Sequence, residues 1–155
     1  MSMPDSFEKE LNEILVDTFH SILQVEENTL KRTKIDLSIS ELHLLEAAGK
    51  SEKQGRTISK LAQELDITLP SVTVAINKLL KKGYVTKAHS GEDARMVYVV
   101  LTKQGRKVEQ AHRYFHRQMV RQVSREFSEE EKQILARGIS KLDEFFKRKS
   151  AEMNL

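Results

Sequence analysis

No cysteine occurs in the 155 residues, so disulfides, thiolate metal sites and cysteine nucleophiles are all excluded. Proline occurs twice and glycine six times. So few helix breakers fit a mostly helical chain. No apolar run reaches the ~20 residues of a membrane span. The opening MSMPDSFEKE is not the pattern of a signal peptide. A cytoplasmic protein is expected. A glycine-rich phosphate loop is also missing. So is any Ser/His/Asp or paired-carboxylate set that can be placed on one surface, which makes an enzyme the least favoured class.

What is present is length for a single domain and a core, with charge of both signs kept apart. The formal net charge is +3. Residues 5–30 carry seven acids against one lysine, and residues 76–106 carry seven bases against Glu92 and Asp93. The first segment is therefore net −6 and the second net +5. A basic stripe confined to one segment is the footprint of a protein that meets a polyanion. Taken alone it is also an ordinary solvated surface.

Hydrophobic spacing organises the rest. Residues 5–32 read as one long helix with Phe7, Leu11, Ile14, Leu15, Thr18, Phe19, Ile22 and Val25 on a stripe. Residues 38–48 read as a second helix. It opens on the capping box Ser38-Ile39-Ser40-Glu41, has Leu42, Leu45 and Ala48 inward, and is ended by Gly49. Ile58, Leu61, Ala62 and Leu65 then line a short helix, and Asp66-Ile67-Thr68 is a turn. A further helix starts at about Leu69, capped by Thr68, with Pro70 in its first turn. Val72, Ile76, Leu79 and Leu80 face inward, and Gly83 closes it. Tyr84–Ala88 and Met96–Leu101 read as strands around the turn Ser90-Gly91-Glu92-Asp93. Thr102 caps a long helix to about Arg125 with the stripe Val108, Ala111, Phe115, Met119 and Val123. Ser128-Glu129-Glu130-Glu131 starts the last helix, striped by Leu135, Gly138, Ile139, Leu142, Phe145 and Phe146, and the tail after Lys149 is expected to fray.

Two helices joined by a tight turn and followed by a hairpin form a winged helix-turn-helix, a shape that enters a DNA groove. The expected class is mainly α with a small β-hairpin wing. Residues 1–155 make a single chain of this kind, with 38–102 as the DNA-binding region. Residues 5–32 and 103–149 carry more apolar stripe than one small domain can cover, and form a helical dimerisation region. The protein is expected to be a homodimer.

Asp93-Ala94-Arg95-x-x-Tyr98-Val99-Val100-Leu101-Thr102 resembles the wing signature of MarR-type bacterial transcription regulators. Ile58-x-x-Leu61-Ala62-x-x-Leu65-x-Ile67-Thr68-x-Pro70-Ser71-Val72-Thr73 and Leu79-x-x-Lys82-Gly83-Tyr84-Val85 resemble its helix-turn-helix. The resemblance implies a homodimer whose first and last two helices interlock, presenting two recognition helices to a pseudo-palindromic double-stranded operator. It also implies a very short strand near Arg56–Ile58 that joins the wing sheet, which the residues themselves do not announce.

The candidate DNA contacts follow. Thr68, Pro70, Ser71, Thr73, Val74 and Asn77 lie on the outward side of the recognition helix, and hydroxyls and amides there can meet phosphates or base edges. Many relatives place an arginine where Val74 stands; valine can only pack on a thymine methyl, so an A·T-leaning site is expected. Lys78, Lys81 and Lys82 suit phosphates, which position without specifying. Arg95 at the wing suits a narrow, A·T-rich minor groove, with Asp93 placed to fix its direction. Its bland alternative is a surface ion pair of little worth.

His112 and His116 are spaced i, i+4 on one helix face, and that spacing can chelate a metal. Some MarR relatives sense zinc with such a pair plus a histidine on the second helix, here His43. No glutamate at the right place completes the set, so the expectation is no metal and no cofactor, with the histidines lining an interface. Val25-Glu26-Glu27, Asp36-x-Ser38-Ile39-x-Glu41-x-His43, Phe115-His116-x-x-Met119-Val120 and Ser128-Glu129-Glu130-Glu131 are similar to the MarR-family repressors of fatty-acid synthesis. That resemblance implies an acylated carrier protein as corepressor, or a small apolar effector, with Phe19, Leu23, His43, Phe115, His116 and Met119 lining its pocket. Arg113, Arg117 and Arg121 suit an acidic carrier by charge. The plain alternative for Phe115 and Met119 is dimer core. The function expected is therefore a ligand-responsive transcriptional repressor, against a zinc- or other small-ligand-responsive regulator, or a winged-helix protein-interaction module.

Overall fold

The computed structural model describes residues 5–50, 55–89, 92–93 and 95–153. Among these residues are six helices and one three-stranded antiparallel sheet. Residues 1–44 and 45–155 form two compact units.

In the first unit, α1 (Ser6–Arg32) opens on Asp5, whose side chain accepts the Glu8 N–H at 2.7 Å. The Glu8 carboxylate accepts the Asp5 N–H in return at 3.3 Å. This is a capping box built on aspartate, and it sets the helix start the periodicity only approximated. Phe7, Ile14, Phe19, Ile22 and Val25 all remain exposed, and the one buried residue of α1 is Glu26. The second helix, α2 (Ile39–Gly49), starts in this unit and belongs to the second unit from Leu45 on; it begins as expected, with Glu41 accepting the Ser38 N–H at 2.9 Å and Ser38 accepting the Glu41 N–H at 3.1 Å. Leu42, Leu44, Leu45, Ala47 and Ala48 are all buried. The helix is covered on more sides than its three-residue expected face, because a helix apolar nearly all round belongs inside.

The second unit continues with β1 (Arg56–Thr57), α3 (Ile58–Leu65), α4 (Leu69–Lys82), β2 (Val85–His89) and β3 (Val97–Leu101). It ends with α5 (Lys103–Ser124) and α6 (Glu129–Met153). The sheet order is β1-β3-β2, with Arg56 opposite Val99 and Val85 opposite Leu101. The short strand implied by the family resemblance is therefore present. Thr57 ends it and also caps α3, accepting the Lys60 N–H at 3.2 Å. Leu61, Val72, Ile76, Leu79 and Val99 are completely buried. They pin both helices and the middle strand around one small core, while Leu80 is only half-buried.

One expectation is corrected here, and α5 shows a second face beside its apolar stripe. The buried face of α5 is Gly105, Val108, Glu109 and His112, while Ala111 and Val123 are exposed. An apolar count misses this face because polar residues occupy it with partners inside the protein. Arg113 Nε donates to Glu109 at 2.9 Å, and His112 pairs with Glu46 of α2. The last helix also runs to Met153, past the point where fraying was expected. Lys149 and Glu152 form an i, i+3 pair there, and Ser150 hydrogen-bonds Asp66 at the turn between α3 and α4. The capping box that starts α6 is as expected, with Ser128 and Glu131 bonded reciprocally at 2.7 and 3.2 Å.

Candidate nucleic-acid interface

Local chemistry builds the reading surface. Asp66 ends α3 in the left-handed region (φ 53°, ψ 45°), donating its N–H to Ala62. Aspartate tolerates that conformation better than most residues, which makes the turn tight. Thr68 then caps α4, its hydroxyl accepting the Ser71 N–H at 3.3 Å, and Pro70 spends no needed donor in the first turn. At the far end Gly83 (φ 82°) closes the helix through bonds to Leu79 and Leu80.

With Val72, Ile76 and Leu79 inward, the opposite side of α4 is left to solvent. Thr68, Pro70, Ser71, Val74, Asn77, Lys78 and Lys81 are exposed, and Thr73 and Lys82 are half-buried. The sequence-derived set thus falls together on and beside one helix face. Beyond Gly83, Tyr84 starts the wing. Its carbonyl accepts the Thr102 N–H at 3.0 Å, while the Thr102 hydroxyl donates to Gly83 at 2.7 Å. These bonds lock the end of α4, the wing and the start of α5 into one joint.

Asp93 and Arg95 are both exposed. Asp93 Oδ1 accepts the backbone N–H of Arg95 at 2.9 Å, and the Asp93 carbonyl accepts the Met96 N–H at 3.1 Å. The aspartate therefore directs Arg95 through its main chain. The turn residues Ser90 and Gly91, and Ala94 beside Arg95, lie outside the described residues.

A sequence model of the MarR family matches residues 35–96. The crystal structure of Streptococcus pneumoniae FabT in complex with DNA is 35% identical at a TM-score of 0.86, over 90% of this chain and 97% of that one. This chain belongs to the MarR family. The relatives it resembles are transcriptional regulators. Two curated relatives are more distant. An uncharacterized HTH-type transcriptional regulator of Bacillus subtilis, YhjH, is 27% identical over 84 residues, 54% of this chain and 47% of that protein. Transcriptional regulator AdcR of Streptococcus pneumoniae is 27% identical over 93 residues, 58% and 64% of the two chains. The chain thus spans about half the length of the first of these relatives. No helix among the described residues is long and apolar enough to cross a membrane.

The residues expected at an effector pocket are divided between the two units. In the first, Phe19 is exposed and Leu23 half-buried. His43 Nε2 lies 3.5 Å from the buried Glu26 carboxylate. In the second, Phe115, His116 and Met119 are half-buried on α5. His116 meets Phe115 edge to face with ring centroids 5.5 Å apart, and His112 the same way at 4.4 Å. Glu46, His112 and His116 bring ligand-type atoms within 4.8 Å of one another. Glu46 is the partner that sequence reasoning missed. It sits 66 residues from His112, and no spacing rule reaches that far. Gly55 and Gly105 were missed for the same reason: each faces a backbone carbonyl brought from elsewhere. On α6, the hydrogen bond that Lys147 Nζ donates to Asp143 holds the Lys147 ammonium above its ordinary pKa.

Proposed function

We propose that the protein represses transcription by binding double-stranded operator DNA as a homodimer, with α4 in the major groove and the wing on the adjacent minor groove. One observation carries the reading. The exposed face of α4 and the lysines at its end lead into a hydrogen-bonded joint at Gly83, Tyr84 and Thr102 from which the wing starts, and Arg95 lies exposed between the wing strands. A winged domain for protein contact alone has no need of that basic stripe. DNA-bound FabT, similar over nearly its whole length, supports the same reading. Dimerisation is supported by α6. It has no buried residue, and Ile134, Ile139 and Phe146 are each more than half exposed. Two half-sites one helical turn apart fit a two-fold dimer.

The test is operator binding across a salt series for wild type and Arg95→Ala. Arg95 is exposed and its side chain supports no core, so the variant should fold and dimerise normally. Affinity should fall, and the slope of log affinity against log salt should flatten by about one for each phosphate charge that is no longer neutralised. An unchanged slope and affinity would make Arg95 a plain surface residue and remove the wing from the interface.

The effector reading is an acylated carrier protein or a small apolar ligand. Its support is the resemblance to the fatty-acid synthesis repressors and the run of arginines on α5, which complements an acidic carrier's charge. Operator affinity should change on adding carrier protein loaded with acyl chains of increasing length, and not on adding the unloaded carrier. The convergence of Glu46, His112 and His116 favours a second reading, a transition-metal effector. A response to zinc that is abolished by His112→Ala, with no response to any acyl chain, would select it and end the first.

A further inference from the structure

The start of the recognition helix mixes hydroxyls with exposed hydrocarbon. Three hydroxyls lie there, and they are turned toward local partners. The Thr68 hydroxyl accepts the Ser71 N–H and lies 2.7 Å from the Ser71 hydroxyl. The Thr73 hydroxyl donates its only proton back to the Leu69 carbonyl at 3.0 Å. Beside them hydrocarbon lies outward: Leu69 is 49% exposed, Val74 is 56% exposed, and Pro70 lies one helical turn before Val74 on the same face. The next outward amide, Asn77, comes almost a full turn later.

An apolar cluster left in water at the tip of a helix, with Lys78 and Lys81 behind it, has a specific match in DNA. On the floor of the major groove the thymine 5-methyl is the apolar group offered by a base edge. A guanine or cytosine edge placed against Leu69 or Val74 would lose its water without gaining a partner, an unsatisfied polar group with a real cost. The lysines supply phosphate attraction on either sequence, so they add affinity without choosing the base.

We propose that Leu69 and Val74 are specificity-determining residues that read pyrimidine 5-methyl groups, so that each half-site carries a thymine whose methyl is the recognised feature. The proposal rests on the DNA reading above and adds what the helix recognises. It accepts 5-methylcytosine in place of thymine at the level of this contact and rejects uracil, which pairs as thymine does but lacks the methyl.

The experiment starts from duplexes selected by the full-length protein out of a randomised library. The preferred duplex is resynthesised with deoxyuridine replacing one thymidine at a time, in both half-sites. At one or two positions per half-site, affinity should fall about fourfold per methyl, or about fifteenfold for the symmetric pair. Val74→Ala or Leu69→Ala should bind the thymine duplex as weakly as wild type binds the uracil one, and should lose the thymine-to-uracil ratio at its own position. Both side chains are exposed, so the variants should melt like wild type. If uracil is tolerated everywhere, or the ratio survives in both variants, the methyl reading is overturned while specific DNA binding stands. If no duplex is enriched at all, the DNA reading falls, and this one with it.

Discussion

Phe145→Asp is expected to convert the protein from dimer to monomer at micromolar concentration and to lower operator affinity by two to four orders of magnitude. Phe145 and Phe146 stand 45% and 56% exposed near the end of α6, their rings edge to face at 5.3 Å. Neither belongs to the buried core of the described residues, so a charge at Phe145 should leave the protomer core intact. Across a dimer interface it places an unpaired carboxylate in an apolar contact, at several kcal/mol, and each 1.4 kcal/mol is a tenfold change in dissociation constant. The operator effect is larger than any single contact because two linked recognition helices gain from effective concentration, commonly by 10²–10⁴. Light scattering of wild type, Phe145→Asp and Phe145→Leu reads the first effect, and the leucine variant should stay dimeric. A monomeric wild type, or a dimeric aspartate variant, would sink the interface assignment for α6.

Gly105→Ala is expected to lower the melting temperature by roughly 4–8 °C, against the direction helix propensity predicts. Gly105 lies in the first turn of α5, where alanine in an open helix position gains about 1 kcal/mol over glycine. Here, however, an added Cβ would collide with the Tyr84 carbonyl oxygen and lie 3.1 Å from the carbonyl carbon. The obstacle is backbone, and that same oxygen accepts the Thr102 N–H. It cannot rotate aside without opening the joint between α4, the wing and α5. Overpacking of this kind costs about 1–3 kcal/mol, and a rigid backbone obstacle puts it at or above the top of that range. The collision therefore outweighs the propensity gain by about 2 kcal/mol. Thermal melting followed by circular dichroism decides the sign. A variant melting at or above wild type would mean the joint is loose, and the rigid coupling of wing to recognition helix would fail with it.

Much of the fold could be read locally, because its signals are local. Ser38 with Glu41, Thr68 with Pro70, Gly83, Thr102, and Ser128 with Glu131 each satisfy or release a backbone group within a few residues, so their spacing carries the information. Helix periodicity likewise placed Val72, Ile76 and Leu79 inside, and by elimination the candidate DNA contacts outside. The wing strands were legible from alternation to within one residue at each end. By itself, then, the sequence determined six helices, the helix-turn-helix, the hairpin and the positions of Arg95 and the α4 lysines. Only the tertiary structure decided what depends on residues distant along the chain. The two-residue strand β1 has no pattern of its own and exists because β3 offers it an edge. Glu46 gives His112 Nδ1 a partner and Arg113 gives the buried Glu109 one, on a face of α5 that the apolar stripe does not mark. Tyr84 makes any side chain at Gly105 costly, and Asp66 anchors an α6 end that composition alone would leave to fray. In each case the deciding atom is a partner's, and a partner's identity is not encoded in the spacing of the residue that needs it.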